Sequence, residues 1–203
     1  MIIVYMGVVG SGKDYQSGLK VKEGFARVDF KDGLLDMASD LVGYDIREHY
    51  DFFKENIAGY VPSVEYPDKT FRLQCESLID AYPTVMTGRR LLQRLGTEVM
   101  RKRDEDYWVK CFLKDVVKHG KVVNGDCRFM NEVRAIKSLP CESKFIFCNF
   151  KSLRYDGYLN HTSEKLAQAL LKQRLGDLQE IDDYHFKEAE NLMDKEKSRG
   201  LII

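Results

Sequence analysis

The sequence lacks the features that mark several large classes of protein. Its five cysteines are odd in number and scattered, and none forms a Cys-x-x-Cys pair, which argues against a disulfide framework and a structural zinc site. It has no excess of basic charge, because 32 Lys and Arg residues balance 32 Asp and Glu residues. A protein that binds the phosphates of duplex DNA usually carries such an excess, so nucleic acid is not the favoured partner.

Long hydrophobic runs are also missing. The first apolar run, at 2–6, is far too short for a signal peptide or a membrane span, and no basic segment precedes it. We therefore expect reduced cysteines, a cytoplasmic location and no membrane partner. Internal repeats and low-complexity tracts are absent, and the sequence leaves the oligomeric state open, including a homodimer.

What is present suits one α/β domain with a small insertion, since 44% of the 203 residues are hydrophobic and 11% are aromatic. Apolar runs predict strands at 2–6, 25–30, 121–126 and 144–149, and a short strand near 184–186. Helical spacing predicts helices at 13–22, 31–41, 85–103, 106–119 and 163–172. This alternation implies a parallel sheet covered by helices. The polar, aromatic stretch at 45–83 holds three of the four prolines and predicts an irregular or helical insertion.

The segment that follows the first strand has the pattern of a phosphate-binding loop. Gly7-Val8-Val9-Gly10-Ser11-Gly12-Lys13 matches G-x-x-x-x-G-K, after a buried strand and before a helix. Glycines let the backbone wrap phosphates with its N–H groups, the helix N-terminus adds positive charge, and the lysine neutralises the β- and γ-phosphates. The pattern predicts an ATP site formed by Gly7, Val9, Gly10, Ser11, Gly12, Lys13 and Asp14.

Asp14 stands where a phosphate-binding loop normally has the Ser or Thr that contacts magnesium. Two roles stay open for it: a magnesium role, directly or through water, or a helix cap, because Ser11-x-x-Asp14 resembles an acidic capping box. Asp126, at the end of the predicted strand 121–126, is a second magnesium candidate. Open α/β sheets bind ligands at the carboxyl ends of their strands, which would bring Asp126 and Arg128 towards the loop. The alternative for Asp126 is a solvated turn residue.

A basic helix follows the insertion. At 100° per residue, one of its faces is apolar and carries Leu91, Leu92, Leu95 and Val99. The opposite, more exposed side carries Arg90, Arg94 and Arg101. Arg89 and Gln93 flank the apolar stripe, where an arginine and an amide can hold a phosphate and a base edge. The alternative is a solvated basic face, and periodicity does not decide which arginine contacts a substrate.

Three blocks, in this order and spacing, resemble bacteriophage deoxynucleoside monophosphate kinases over most of the chain. They are the loop ending Gly12-Lys13-Asp14, the block Arg89-x-Leu91-Leu92-Gln93-x-x-Gly96-Thr97-Glu98-x-x-Arg101 with Trp108 after it, and Asp126-x-Arg128-Phe129-x-x-Glu132. The resemblance implies a three-layer αβα P-loop NTPase fold over 1–203, with a helical acceptor-binding insertion at 45–105 and a short lid loop at 150–163. It also implies ATP and magnesium as cosubstrates and conversion of dNMP to dNDP, in the host cytoplasm if the protein is viral.

The same resemblance suggests roles for individual residues. Lys13, Asp126 and Arg128 would act on the transferring phosphoryl, with Asp126 or Asp14 on magnesium. The acceptor site would be formed by Lys31, Arg89, Gln93, Thr97, Arg101, Trp108 and Arg154. Trp108 has a simpler interpretation as core packing, and Arg154 as a solvated loop residue. In the block His161-x-Ser163-Glu164, which is also similar to the family, Ser163 and Glu164 are alternatively the N-cap and first turn of a helix.

Two other functions stay open. Phosphomevalonate kinases have a similar Gly-Lys-Asp loop, so a kinase of phosphomevalonate or dephospho-coenzyme A is one alternative, which the Leu-Leu-Gln-x-x-Gly-Thr block disfavours. The other is a nucleotide-dependent switch that only hydrolyses its nucleotide, although the sequence has no Asn-Lys-x-Asp guanine signature.

Overall fold

The computed structural model describes residues 1–48, 50, 53, 88–150 and 162–198. The chain divides into two compact units, Met1–Phe30 with Leu113–Ile203 and Lys31–Phe112. The protein is an α/β protein with a mostly parallel five-stranded sheet, and all five strands lie in the first unit. The predicted insertion at 45–83 and lid loop at 150–163 fall mostly outside the described residues.

The sheet has the order β2-β3-β1-β4-β5. β1 (Ile2–Met6) lies in its middle, parallel to β3 (Val122–Asn124) on one side and to β4 (Ser143–Phe147) on the other. β2 (Ala26–Arg27) is parallel to β3, and β5 (Gln179–Ile181) is antiparallel to β4. All five β1 residues are buried, as expected of a continuous apolar run covered on both faces. The predicted parallel sheet is confirmed for every strand except β5.

Seven α-helices are found in the described residues: α1 (Lys13–Lys22), α2 (Asp32–Val42), α3 (Gly88–Gln93), α4 (Tyr107–Val116), α5 (Met130–Lys137), α6 (Lys165–Leu171) and α7 (Asp183–Ser198). The helices predicted at 13–22, 31–41 and 106–119 are confirmed by α1, α2 and α4. The helix predicted at 163–172 is α6, preceded by a 3₁₀ turn at Thr162–Glu164. No helix in this described part of the chain is long and apolar enough to cross a membrane.

Two predicted strands differ from those observed. The second strand, predicted at 25–30, pairs only over Ala26–Arg27, although the Val28 N–H still donates to the Val123 carbonyl at 3.1 Å. The strand predicted near 184–186 is wrong, because these residues belong to α7 and the last strand lies just before them. Phe186 is buried from the helix, with its ring 5.1 Å from that of Phe145 in β4. Its hydrophobicity therefore reflects helix–sheet packing.

The second unit contains α2, α3, most of α4 and a π-helix at Arg94–Arg101 that continues α3. The predicted helix at 85–103 is therefore only partly α-helical in the described residues. A π-helix closes its hydrogen bonds between residues i and i+5, so 100° per residue does not hold there. Arg94 is 4% exposed, and its predicted place on the exposed side is wrong. Leu92, Leu95 and Val99 are buried as predicted, and they pack with α2 residues in the core of this unit.

Candidate functional site

The glycine-rich loop connects the carboxyl end of β1 to the first turn of α1. Gly10 and Gly12 have φ angles of 78° and 89°, a region that glycine adopts far more readily than other residues. A Cβ atom on Gly7 would lie 2.3 Å from the Cys148 carbonyl oxygen. The loop thus has glycine where its backbone conformation or its neighbours require it.

The capping-box interpretation of this loop is wrong. Gly12 is the N-cap of α1, and no side chain makes a cap hydrogen bond there. Asp14 lies in the first turn of the helix, where its negative charge complements the helix dipole. It is also paired with Arg27, whose Nη2 lies 2.5 Å from Asp14 Oδ1.

Lys13 is buried within the loop, at 6% exposure, and its Nζ donates to the Val8 carbonyl at 2.7 Å. Burial, followed by the charge of the nearby Arg128 guanidinium, lowers the pKa of this ammonium to about 8, and the Glu164 carboxylate opposes both effects. The Lys13 ammonium thus lies near the Arg128 guanidinium and the Glu164 carboxylate, whose charges act on it. A buried cation at a helix N-terminus is suited to bind an anion.

Ser11 adds an unsatisfied polar group to the same loop. Its hydroxyl is buried, and within the described residues it has no hydrogen-bond partner. Buried hydroxyls are nearly always hydrogen-bonded in native proteins, so the Ser11 hydroxyl is a donor suited to a ligand or water at the loop.

Arg128 is held beside the loop by two glutamates from different elements. Glu132, in α5, accepts the backbone N–H groups of Arg128 at 2.6 Å and of Phe129 at 3.1 Å. Glu164 accepts the Arg128 guanidinium on Oε1, and on Oε2 it accepts the Val9 N–H at 3.2 Å. The structure therefore brings Arg128 to the glycine-rich loop, as the sequence predicts.

Glu164 is the residue whose importance sequence reasoning missed. The sequence places it in a block similar to the kinase family, without a role of its own, or in the first turn of a helix with Ser163 as the N-cap. In the structure Glu164 itself is the N-cap of α6, with no side-chain cap hydrogen bond, so the Ser163 interpretation is wrong. The only sequence signal for Glu164 was the similarity of the block around it to the kinase family.

Asp126 lies just beyond the carboxyl end of β3, as predicted, and is 6% exposed rather than solvated. Its Oδ1 accepts the Phe30 N–H at 2.9 Å and the Asn124 side-chain amide at 3.0 Å. The same turn is tied to β2 by Asp29, whose Oδ1 accepts the Gly125 N–H at 2.9 Å. Asp126 is therefore an oriented, buried carboxylate, and the solvated-turn alternative is wrong.

Arg27 and Asp29 form a second charged group that sequence reasoning did not single out. Arg27 Nε donates to the buried Asp29 Oδ2 at 2.8 Å, while its Nη2 reaches Asp14. Although burial alone lowers it, the Asp29 and Asp14 carboxylates raise the pKa of Arg27 above its ordinary value. In the described part of the chain, no group of three or more His, Cys, Asp or Glu side chains is arranged to hold a metal ion.

The other predicted site residues lie in the second unit, and Arg154 lies outside the described residues. Lys31 Nζ is 5.8 Å from the centre of the Tyr50 ring. The four remaining polar candidates are Arg89, Gln93, Thr97 and Arg101. All four are half-buried, whereas the residues between them include exposed and fully buried ones.

Trp108 is placed as a core residue of the second unit. It is 3% exposed, and its Nε1 donates to the Gly96 carbonyl at 2.9 Å. A Cβ on Gly33 would lie 3.5 Å from its ring. These contacts favour the packing interpretation of Trp108 over its prediction as a base-pocket wall.

A scan against models of protein families and a search of curated proteins found no match for this chain.

Proposed function

We propose that the protein is a P-loop kinase of the three-layer αβα class that transfers the γ-phosphoryl of ATP to a deoxynucleoside monophosphate. The observation that carries the proposal is the burial of Lys13 beside Arg128 in a glycine-rich loop at the end of the central strand. The buried Lys13 ammonium, the half-buried Arg128 guanidinium, backbone N–H donors and the Ser11 hydroxyl suit the polyphosphate of a nucleotide. Ligands of open α/β sheets bind at this edge of the sheet.

The choice of acceptor rests on the second unit and on the sequence block within it. Arg89, Gln93, Thr97 and Arg101 recur at four-residue intervals and are all half-buried, so each is partly accessible to a ligand. An arginine can bind a phosphate with two hydrogen bonds, and a glutamine amide can bind a base edge. Together with the resemblance of this block to bacteriophage deoxynucleoside monophosphate kinases, this supports a nucleotide as the acceptor.

The residues at the end of β3 also fit magnesium. In phosphoryl-transfer sites this ion is usually bound by one or two carboxylates together with the substrate phosphates, so a large protein cage is not needed. Asp126 is a buried carboxylate oriented just beyond the carboxyl end of β3, whereas Asp14 is 75% exposed and paired with Arg27. We therefore favour Asp126 over Asp14 as the ligand. The ion would supply charge neutralisation on the β- and γ-phosphates.

Phosphoryl transfer requires mainly positioning and charge stabilisation from the protein. In the proposed mechanism Lys13 and the loop N–H groups bind the ATP phosphates, and Arg128 neutralises the transferring phosphoryl. Arg89 and Arg101 hold the acceptor phosphate. An oxygen of that phosphate forms a bond to the γ-phosphorus while the bond to the β,γ-bridging oxygen breaks and ADP leaves. The acceptor is already anionic, so no general base is needed.

A coupled ADP-release assay tests the proposal. The acceptors are the four deoxynucleoside monophosphates, their ribose counterparts, phosphomevalonate, dephospho-coenzyme A and none. We expect release that depends on a deoxynucleoside monophosphate. If ADP is released only with phosphomevalonate or only with dephospho-coenzyme A, the protein is a kinase of that metabolite instead. If ADP is released equally fast without any acceptor, the protein is a nucleotide-hydrolysing switch.

The loop is tested separately by Lys13→Ala. We expect the rate to fall by about a hundredfold or more, with an unchanged circular dichroism spectrum. Lys22→Ala is the matched control, because this lysine is exposed at the far end of the same helix. Retention of most wild-type activity by Lys13→Ala would show that the loop assignment is wrong.

A further inference from the structure

The carboxylate of Glu164 joins two groups to which the proposed function gives separate roles. One oxygen accepts the backbone N–H of Val9 in the glycine-rich loop at 3.2 Å, and the other accepts the Arg128 guanidinium. Val9 and Glu164 are 155 positions apart in the sequence, and Arg128 and Glu164 are 36 apart. The contact is therefore a product of the fold and not of local chain geometry.

The burial of these groups makes the contact strong and specific. The Glu164 side chain is 3% exposed, whereas that of Arg128 is 34% exposed, so the arginine can still reach a ligand while its partner is fixed. Hydrogen bonds between charged groups are shorter and stronger than neutral ones, particularly where water is largely excluded. A carboxylate that lost this partner would be left buried and unpaired, at a large cost.

Arg128 is consequently held at both ends. Glu132 fixes its backbone N–H at 2.6 Å, and Glu164 fixes its guanidinium against the loop. An arginine has four rotatable side-chain bonds. Each bond that still rotates freely before the reaction loses conformational entropy when the side chain becomes ordered in the transition state. A guanidinium that is already in place does not bear this cost.

We propose that Glu164 is a positioning residue, which holds the Arg128 guanidinium beside Val9 so that Arg128 neutralises the phosphoryl during transfer. This inference rests on the proposed function. Glu164 does not touch the reacting atoms in this role, and it acts only through Arg128. The competing view is that Glu164 is an internal anion that occupies the loop and must be displaced when the nucleotide phosphates bind.

Glu164→Gln separates the two views. The Val9 N–H and the guanidinium bind different oxygens of Glu164, and glutamine replaces one of these with an NH₂ group, so one donor then faces another donor. Positioning through Arg128 predicts that kcat falls about ten- to a hundredfold while the calorimetric Kd for ATP changes less than about threefold. Displacement of an internal anion predicts tighter ATP binding and an undiminished kcat, and this result would overturn the proposal.

A double-mutant cycle with Arg128→Gln tests whether Glu164 acts through that arginine. In the Arg128→Gln background, Glu164→Gln should lower kcat by less than about twofold, because the group that it positions is gone. Equal losses in the two backgrounds would overturn the positioning role. Glu190→Gln is the matched control, since it also removes a carboxylate from an arginine pair, with Arg134, in the same unit but on the exposed surface.

Two further measurements keep the outcome decisive. If Glu164→Gln does not give folded protein by circular dichroism, Glu164→Asp takes its place, because it keeps the charge but is one methylene too short to reach both partners.

The wild-type protein is assayed first. If it transfers phosphoryl to no deoxynucleoside monophosphate, the proposed function and the positioning role both fail. If it does, an unchanged kcat in the variants overturns the positioning role alone.

Discussion

Arg27 joins Asp14, in the first turn of α1, to the buried Asp29, two residues beyond the end of β2. Its Nη2 lies 2.5 Å from Asp14 Oδ1, and its Nε lies 2.8 Å from Asp29 Oδ2. The two carboxylates differ greatly in exposure, since the Asp14 side chain is 75% exposed and that of Asp29 is 2% exposed. The guanidinium should therefore matter mainly for Asp29.

This difference in burial predicts unequal effects on stability. Arg27→Met removes a charged partner from the buried Asp29 carboxylate and should lower the free energy of unfolding by about 2 kcal/mol. Asp14→Asn removes a negative charge that is 75% exposed, together with its ion pair and its helix-dipole interaction, and should cost less than about 1 kcal/mol. Urea unfolding followed by circular dichroism measures both, and equal losses would contradict the assignment of Asp29 as the main partner.

Asp126→Asn should weaken the magnesium dependence of ADP binding without unfolding the protein. The asparagine carbonyl can replace Oδ1, which accepts the Phe30 N–H and the Asn124 amide, but the second position then carries an uncharged NH₂ group. Calorimetric titration with ADP at increasing magnesium concentration should show at least about a tenfold weaker magnesium effect. Asp14→Asn is the comparison, and a larger loss in this variant would transfer the ligand role to Asp14.

The affinity of the loop for ATP should fall as the pH rises above about 8. Burial, followed by the Arg128 charge, lowers the pKa of Lys13 to about 8, so the ammonium that binds phosphate predominates below that pH and the neutral amine predominates above it. The apparent Kd should rise by at most about tenfold per pH unit, as expected for one proton. Calorimetry between pH 7 and pH 9.5 measures this effect.

The matched variants for this titration are Lys13→Met and Arg128→Gln. Lys13→Met should bind weakly and show no comparable rise over the same pH range. Arg128→Gln removes a charge that lowers the pKa of Lys13, so it should move the loss of affinity to higher pH. A Kd that stays level from pH 7 to pH 9.5 in the wild-type protein would show that Lys13 does not titrate there.

The parts of the site that the sequence predicted are those in which the signal is local. The apolar run of β1, the glycine spacing and the lysine are contiguous, so the strand, loop and helix follow from neighbouring residues. Glu164 was not assigned its role, because its partners Val9 and Arg128 are brought to it only by the folded chain. A carboxylate after a serine also has an ordinary local explanation as a helix start.

The π-helix shows a second limit of sequence reasoning. Helical periodicity assumes a fixed angle per residue, and the one local sign of irregularity in Arg94–Arg101 is Gly96, which can end or bend a helix but does not predict wider turns. Arg94 was therefore assigned to the exposed side, although it is buried and its Nε lies 3.9 Å from Glu98. The hydrophobic residues on the same segment were assigned correctly, because burial of Leu95 and Val99 follows from their apolarity whatever the helix type.

Gly7→Ala should destabilise the protein, whereas Gly18→Ala should not. Gly7 has a φ of 149°, and a Cβ there would meet the Cys148 carbonyl at 2.3 Å, so the loop or β4 would have to move. We expect a loss of about 1–3 kcal/mol in the free energy of unfolding. Gly18 lies inside α1 with nothing within 4 Å of a Cβ, and alanine should stabilise the helix by about 0.5–1 kcal/mol. Thermal unfolding of both variants checks the contrast.

Trp108→Phe should act on stability rather than on substrate binding. Phenylalanine cannot donate a hydrogen bond to the buried Gly96 carbonyl, which accepts Trp108 Nε1 at 2.9 Å, so the free energy of unfolding should fall by about 1–3 kcal/mol. The KM for the deoxynucleoside monophosphate should change less than about twofold. Gln93→Ala should show the opposite pattern, with a KM raised about tenfold or more and little loss of stability, because the side chain is only half-buried. A raised KM in Trp108→Phe at unchanged stability would instead make the indole part of the base pocket.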